Sequence, residues 1–131
     1  MAKTSMNMEE NIESLLTYAL TWVTGIVFIF LEKENKTVRF HAFQSTFTFL
    51  PLTIIGWLLG WIGAPSYSYT GGYYGYGLGT YNPGIPALVY LSWIIYAITV
   101  LLWLFLMFKA YQGEKFKLPV VGDLAEKQAG A

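Results

Sequence analysis

The chain has 131 residues, 55% of hydrophobic type and only 12% Asp, Glu, Lys or Arg, about half the charged share of a soluble domain. Eight Lys plus Arg balance eight Asp plus Glu; with no basic surplus to neutralise phosphates, nucleic acid is excluded as a partner class. The lack of cysteine removes disulfides, Cys-based zinc sites and thiol catalysis, and the length suits a single domain, 1–131.

At the N-terminus, Asn7-Met8-Glu9-Glu10 has capping-box spacing, so the first helix is expected to begin there. Three uncharged stretches follow, giving spans at about 12–31, 42–63 and 87–108. The first, built on Ser14–Leu31, makes a helix roughly 27 Å long, enough to cross with Ile12 helping. All three are apolar on every side and leave no face for water, which predicts an all-α, polytopic integral membrane protein with three transmembrane helices. The first stretch has neither a basic start nor a small-x-small cleavage site and is expected to stay in the mature protein.

Orientation follows from Lys and Arg. Lys3 stands alone before the first span, Lys33, Lys36 and Arg39 follow it, none lies between the second and third, and Lys109, Lys115, Lys117 and Lys127 close the chain. With three crossings this puts the N-terminus outside and the C-terminus inside, in the cytoplasmic membrane.

Residues 64–86 carry six tyrosines and no charge. Tyr67, Tyr69, Tyr73, Tyr74, Tyr76 and Tyr81 either extend the aromatic belt at the outer headgroups or form an exterior surface for a partner. In the inner-side tail, 109–131, Gly113 occupies a helix C-cap position and Pro119 bars immediate resumption. Phe116, Leu118, Val120 and Val121 beside Lys115 and Lys117 read equally as a segment on the inner surface or as a solvated tail.

No Asp, Glu, Lys, Arg or His lies deep in the three stretches, the usual mark of a proton or ion pathway. His41, the single histidine, does not make a metal site by itself, and His41 with Ser45 one turn on lacks an acidic orienter for catalysis. No catalytic, cofactor-binding or metal-ligating residue is assigned. Thr17, Thr21 and Gly25 form a small-residue stripe at four-residue spacing, suited to receive Gly56 and Gly60 of the second span, with Ala64 one turn further, either inside the monomer or between copies in an oligomer. Pro51 is expected to kink that span, with Thr48 bonding the freed backbone.

The run FLEKENKTVRFHAFQSTF from Phe30 to Phe47, with Tyr111-Gln112-Gly113-Glu114 and Lys117 to Ala125, resembles a family of small three-span prokaryotic membrane proteins of unknown function. That family is grouped distantly with the twenty-kilodalton component of the chloroplast inner-envelope protein translocon, a four-span protein, so the resemblance implies a part in a membrane complex rather than an activity. In physical terms, Arg39 is placed to pair with Glu32 or Glu34, while His41 and Gln44 offer hydrogen bonds at the interface. Glu32, Arg39, His41 and Gln44 are therefore the candidate clamp of the first hairpin and an inner-side docking face. The expected function is a non-enzymatic membrane subunit or scaffold in contact with lipid, self-assembling or joined to a partner membrane protein, in translocation or envelope organisation. The alternative is an oligomeric channel or carrier for neutral solutes lined by Thr17, Thr21, Thr24, Ser92, Tyr96 and Thr99.

Overall fold

The computed structural model describes residues 4–71 and 77–130. Seven elements follow in order: α1 (Glu10–Ala19), α2 (Trp22–Leu31), α3 (Lys36–Gly63), β1 (Ser66–Thr70), β2 (Leu78–Asn82), α4 (Pro86–Tyr111) and α5 (Val121–Ala129). They divide into one unit of residues 1–52 and 98–131 and a second of residues 53–97.

In the first unit, the expected crossing over 12–31 is two ten-residue helices, not one. The chain breaks at Leu20–Thr21, where Thr21 adopts φ 56°, and the two arms fold back on each other. The Asn35 side-chain amide, just beyond α2, donates to Glu10 Oε2 at the start of α1 at 2.8 Å, and Ser5 meets Glu32 at 2.7 Å. As one straight helix, the 25 residues from Glu10 to Asn35 would hold those two side chains roughly 37 Å apart. The capping box at Asn7 is not made either. Asn7 sits in a turn at φ 59°, and α1 starts at Glu10 after an extended Glu9 that gives no side-chain cap.

Among the described residues, helices α3 and α4 are the two long enough and apolar enough to cross a membrane. Helix α3 runs unbroken through Pro51, and the Thr48 hydroxyl, expected to repair the ladder there, is buried without a partner among the described residues. Tyr18, Phe49, Leu106 and Ala110 form the buried core of the first unit, with Trp22, Trp103 and Leu118 against it. Helix α4 stops at Gly113 as expected. Gly113 (φ 78°) donates its N–H to the Ala110 carbonyl and Glu114 donates to Lys109, the paired bonds of a Schellman cap. Beyond Pro119 the tail is ordered as α5, whose Ala125 and Ala129 bury themselves on Phe40.

In the second unit, Gly56 and Gly60 of α3 admit Tyr96 and Ser92 of α4, where an added Cβ would stand 3.0 and 3.1 Å from their side chains. The Tyr/Gly segment is not wholly loop, and the fold is thus not all-α. Strands β1 and β2 pair antiparallel, with Tyr67 opposite Tyr81 and Tyr69 opposite Gly79. Alternation along each strand puts Tyr67, Tyr69 and Tyr81 on one face and Ser68 and Thr80 on the other. Every residue of both strands is exposed.

Candidate functional site

The turn between α2 and α3 gathers the charged residues singled out in the sequence. Glu32 is fully buried, and its carboxylate accepts from the Ser5 N–H (3.1 Å), the Ser5 hydroxyl (2.7 Å), the Glu34 N–H (2.9 Å) and the Asn35 N–H (3.0 Å). Burial works against its charge, yet these donors, the Asn35 N–H foremost, win and hold the carboxyl down at about 2. Asn35 Oδ1 in turn accepts from the Val38 N–H at 3.0 Å and caps α3.

Arg39 pairs with neither Glu32 nor Glu34 through a carboxylate, contrary to expectation. Its Nη1 donates to the carbonyls of Ile29 (3.1 Å) and Glu32 (2.8 Å), the unsatisfied C-terminal end of α2. The physical reason is competition: Glu32 is already saturated on one oxygen by the turn, whereas a helix C-terminus needs a cation. The guanidinium also lies 5.5 Å from the Phe43 ring centroid.

One turn further along α3, His41 and Gln44 meet a residue that sequence reading left out. Fully buried Tyr18 bonds His41 Nδ1 through its hydroxyl at 2.9 Å. Gln44 Nε2 donates to that same hydroxyl at 3.0 Å and to the Phe116 carbonyl at 2.9 Å, while Gln44 Oε1 accepts from the Leu118 N–H at 3.1 Å. One amide thus holds the tail backbone on both sides of Lys117. The direction of the Tyr18–His41 bond follows the histidine tautomer, and His41 Nε2 is buried with no partner among the described residues. Nearby, Lys115 stands 4.9 Å over the Phe40 ring, and Lys117 bonds Glu126 at 2.8 Å, which raises the lysine and lowers the carboxyl from their ordinary values.

The hairpin tip poses a second problem, backbone carbonyls left free where the helices break. Ser45 Oγ donates to the Thr21 carbonyl (2.7 Å), Trp103 Nε1 to the Tyr18 carbonyl (2.6 Å) and Thr24 Oγ1 to the Thr17 carbonyl (3.1 Å), while the Leu20 N–H donates to Thr24 Oγ1 (3.1 Å). Ser45 lies nine residues past Lys36, so the tip reaches about 14 Å along α3. Ala19, Leu20, Thr21, Val23, Thr99, Val100 and Trp103 line an apolar depression of 460 Å³ beside it. With its hydrogen given to Thr21, Ser45 is not presented to His41 as a nucleophile.

The small-residue stripe serves the hairpin rather than a glycine face of the second span. Thr17 Oγ1 bonds the Ser14 carbonyl at 2.6 Å, Thr21 makes the turn, and Gly25 lies so close to α3 that a Cβ would come within 2.7 Å of Thr46 Oγ1 and 2.9 Å of the Ala42 carbonyl. Of the proposed solute-path hydroxyls, Thr17 and Thr24 are therefore spent on hairpin carbonyls, and Ser92 and Tyr96 face glycines of α3. Of the exterior tyrosines, Tyr67, Tyr69 and Tyr81 are exposed on one face of the β-hairpin, with the Tyr67 and Tyr81 rings 4.8 Å apart; Tyr73, Tyr74 and Tyr76 lie outside the described residues. Ser5, Glu13, Tyr18, Asn35 and Trp103 escaped sequence reading because their partners are distant in the chain; Asn35, just ahead of α3, carried the only local signal, that of an N-cap.

Residues 5–125 match the family model described as the magnetosome magnetite crystal formation protein family. The chain belongs to that family. Its relatives include a UPF0132 membrane protein of Methanocaldococcus jannaschii, 40% identical over 127 residues that make up 97% of this chain and 94% of the relative. A second UPF0132 membrane protein of the same organism is 33% identical, covering 94% of this chain and 72% of its own, and one of Archaeoglobus fulgidus is 38% identical, covering 94% and 98%. No solved structure matches. The family is one of membrane proteins, in keeping with the two long apolar helices; these archaeal relatives lend no support to the link with a plastid translocon.

Proposed function

We propose that this member of the family is a non-enzymatic scaffold or subunit of the cytoplasmic membrane, held by two crossings, α3 and α4, and by the α1–α2 hairpin, which enters from the cytoplasmic face and returns to it. The observation that supports this reading is the use made of the polar groups at the base of the hairpin. Glu32, Asn35, Arg39 and Gln44 bind one another's backbone and the tail, building a closed cap rather than an open site. Positive charge supports the orientation, because every Lys and Arg falls before residue 40 or after residue 108, the segments that two crossings would leave on one side.

Assembly, with itself or with a partner membrane protein, is the role we assign to the uncharged tyrosine face of the β-hairpin. The magnetite crystal formation in the family's description enters only as a process such a scaffold would serve. Direct contact of this segment with an iron mineral is disfavoured, since residues 64–86 contain no carboxylate to engage a metal. Native mass spectrometry of the protein, gently extracted from its host membrane, tests the reading. A defined homo-oligomer or a stoichiometric complex with larger membrane proteins is expected. A bare monomer that raises solute flux in liposomes above background would overturn it.

A further inference from the structure

The hairpin base leaves one buried acid unaccounted for. Glu13, in the first turn of α1, is fully shielded from solvent, and neither of its carboxyl oxygens has a hydrogen-bond partner among the described residues. Its neighbours are Thr4 and the carboxylate of Glu32. On Glu32, Oε1 already accepts from the Ser5 hydroxyl and the Glu34 and Asn35 N–H groups, whereas Oε2 accepts only from the Ser5 N–H and has a lone pair to spare. Two ionised carboxylates shut away together repel, and no Lys or Arg makes an ion pair with either among the described residues. The other charges at this base are engaged: Glu10 with Asn35, and Arg39 with the carbonyls of Ile29 and Glu32. A proton held between the two carboxyl groups satisfies both at once.

We propose that Glu13 and Glu32 form a proton-binding site in which the Glu13 carboxyl keeps its proton and donates it to Glu32, latching α1 to the α2–α3 turn until that proton is lost. The roles are unequal because the surroundings are. Burial pushes the Glu13 carboxyl up, the Thr4 hydroxyl pulls it back in part, and Glu32 adds to the rise, while the same contact helps keep Glu32 ionised. An acid raised in the folded state lends stability that is complete below its unfolded value and is lost as pH climbs through its folded value. The latch is therefore complete at acidic pH and loosens as pH rises above the ordinary carboxylate range.

The test uses the full-length protein in lipid nanodiscs, with infrared difference spectroscopy on glutamate carrying ¹³C at the side-chain carboxyl. A neutral-carboxyl C=O band is expected to persist just above the ordinary carboxylate range, shifted in Glu13→Asp, lost in Glu13→Gln and unchanged in Glu9→Gln. Thermal unfolding supplies the second readout. The midpoint of the wild type should fall, as pH rises above the ordinary carboxylate range, relative to that of Glu13→Gln, whose amide donates to Glu32 without titrating. Should Glu13→Gln fail to fold, the Glu13→Asp band shift still decides the matter. The proposal is overturned if the wild type shows no neutral-carboxyl band, if the band survives Glu13→Gln, or if both profiles fall alike. Stabilisation of the wild type at alkaline pH by sodium or potassium chloride over choline chloride also overturns it, by showing a cation in place of the proton.

Discussion

Glu32 and Gln44 concentrate the cap's polar bonds in two side chains, so each yields a measurable prediction. Removing Glu32 as Glu32→Ala strips acceptors from three backbone N–H groups and a hydroxyl; charge-assisted bonds of this kind set the expected loss at about 3 kcal/mol in detergent unfolding. The pH sign is opposite to that of Glu13. A carboxyl depressed to about 2 in the folded protein lends stability that is whole above the ordinary carboxylate range and drains away as pH falls toward 2. Stability of the wild type should thus decline on acidification in a way that Glu32→Ala does not. Gln44→Leu keeps the volume but leaves the Phe116 carbonyl and the Leu118 N–H without their partner, a cost of about 1–2 kcal/mol. Hydrogen–deuterium exchange should quicken first in the tail, from Phe116 through α5, with the α3–α4 core slower to follow.

At the scale of elements, the hairpin depends on donors sent to its tip by other helices. Trp103→Phe removes the donor to the Tyr18 carbonyl and Ser45→Ala the donor to the Thr21 carbonyl; each should cost about 1–2 kcal/mol, because lipid offers no water in exchange. Gly25→Val should cost more than either, since its Cβ already meets Thr46 and Ala42 below normal contact distance. The same donors explain what sequence could reveal. Two uncharged stretches of 22 residues announce α3 and α4 by length alone, and Gly113 announces the end of α4. The 18-residue run Ser14–Leu31 has the apolar length of one crossing and of two half-length arms alike. Its break carries neither Gly nor Pro, and the groups that satisfy it lie at Ser45 and Trp103, unreachable by any local pattern. The Arg39 cluster was legible as a cluster, not as a set of pairings: which carbonyl Arg39 takes depends on the donors that reach Glu32 first. The strand signal in Ser66–Thr70, a plain Ser/Tyr alternation, is masked by the glycines around it.

For the whole molecule, the folded-back hairpin changes which segments share a side of the membrane. A single crossing by residues 12–31 would separate the N-terminus from the turn at Lys33 and Lys36; the bonds Ser5–Glu32 and Glu10–Asn35 join them instead. The tail belongs to the same group, through Asn11 to the Tyr111 carbonyl at 3.1 Å and Gln44 to Phe116 and Leu118. The turn and the tail, which carry seven of the eight basic residues, then lie together with the described part of the N-terminal segment, as the proposed two-crossing arrangement requires. The cysteine-free chain makes this directly measurable. Single substitutions Met6→Cys, Lys36→Cys, Lys127→Cys and Thr80→Cys are probed in intact cells with a membrane-impermeant maleimide. Thr80→Cys alone should be labelled until the membrane is opened, after which the other three react. Labelling of Met6→Cys together with Thr80→Cys would restore the three-crossing arrangement, and it could do so only if the Ser5–Glu32 and Glu10–Asn35 bonds do not form in the membrane. Labelling of Met6, Lys36 and Lys127 without Thr80 would keep the hairpin but invert the protein, a result that the distribution of lysine argues against.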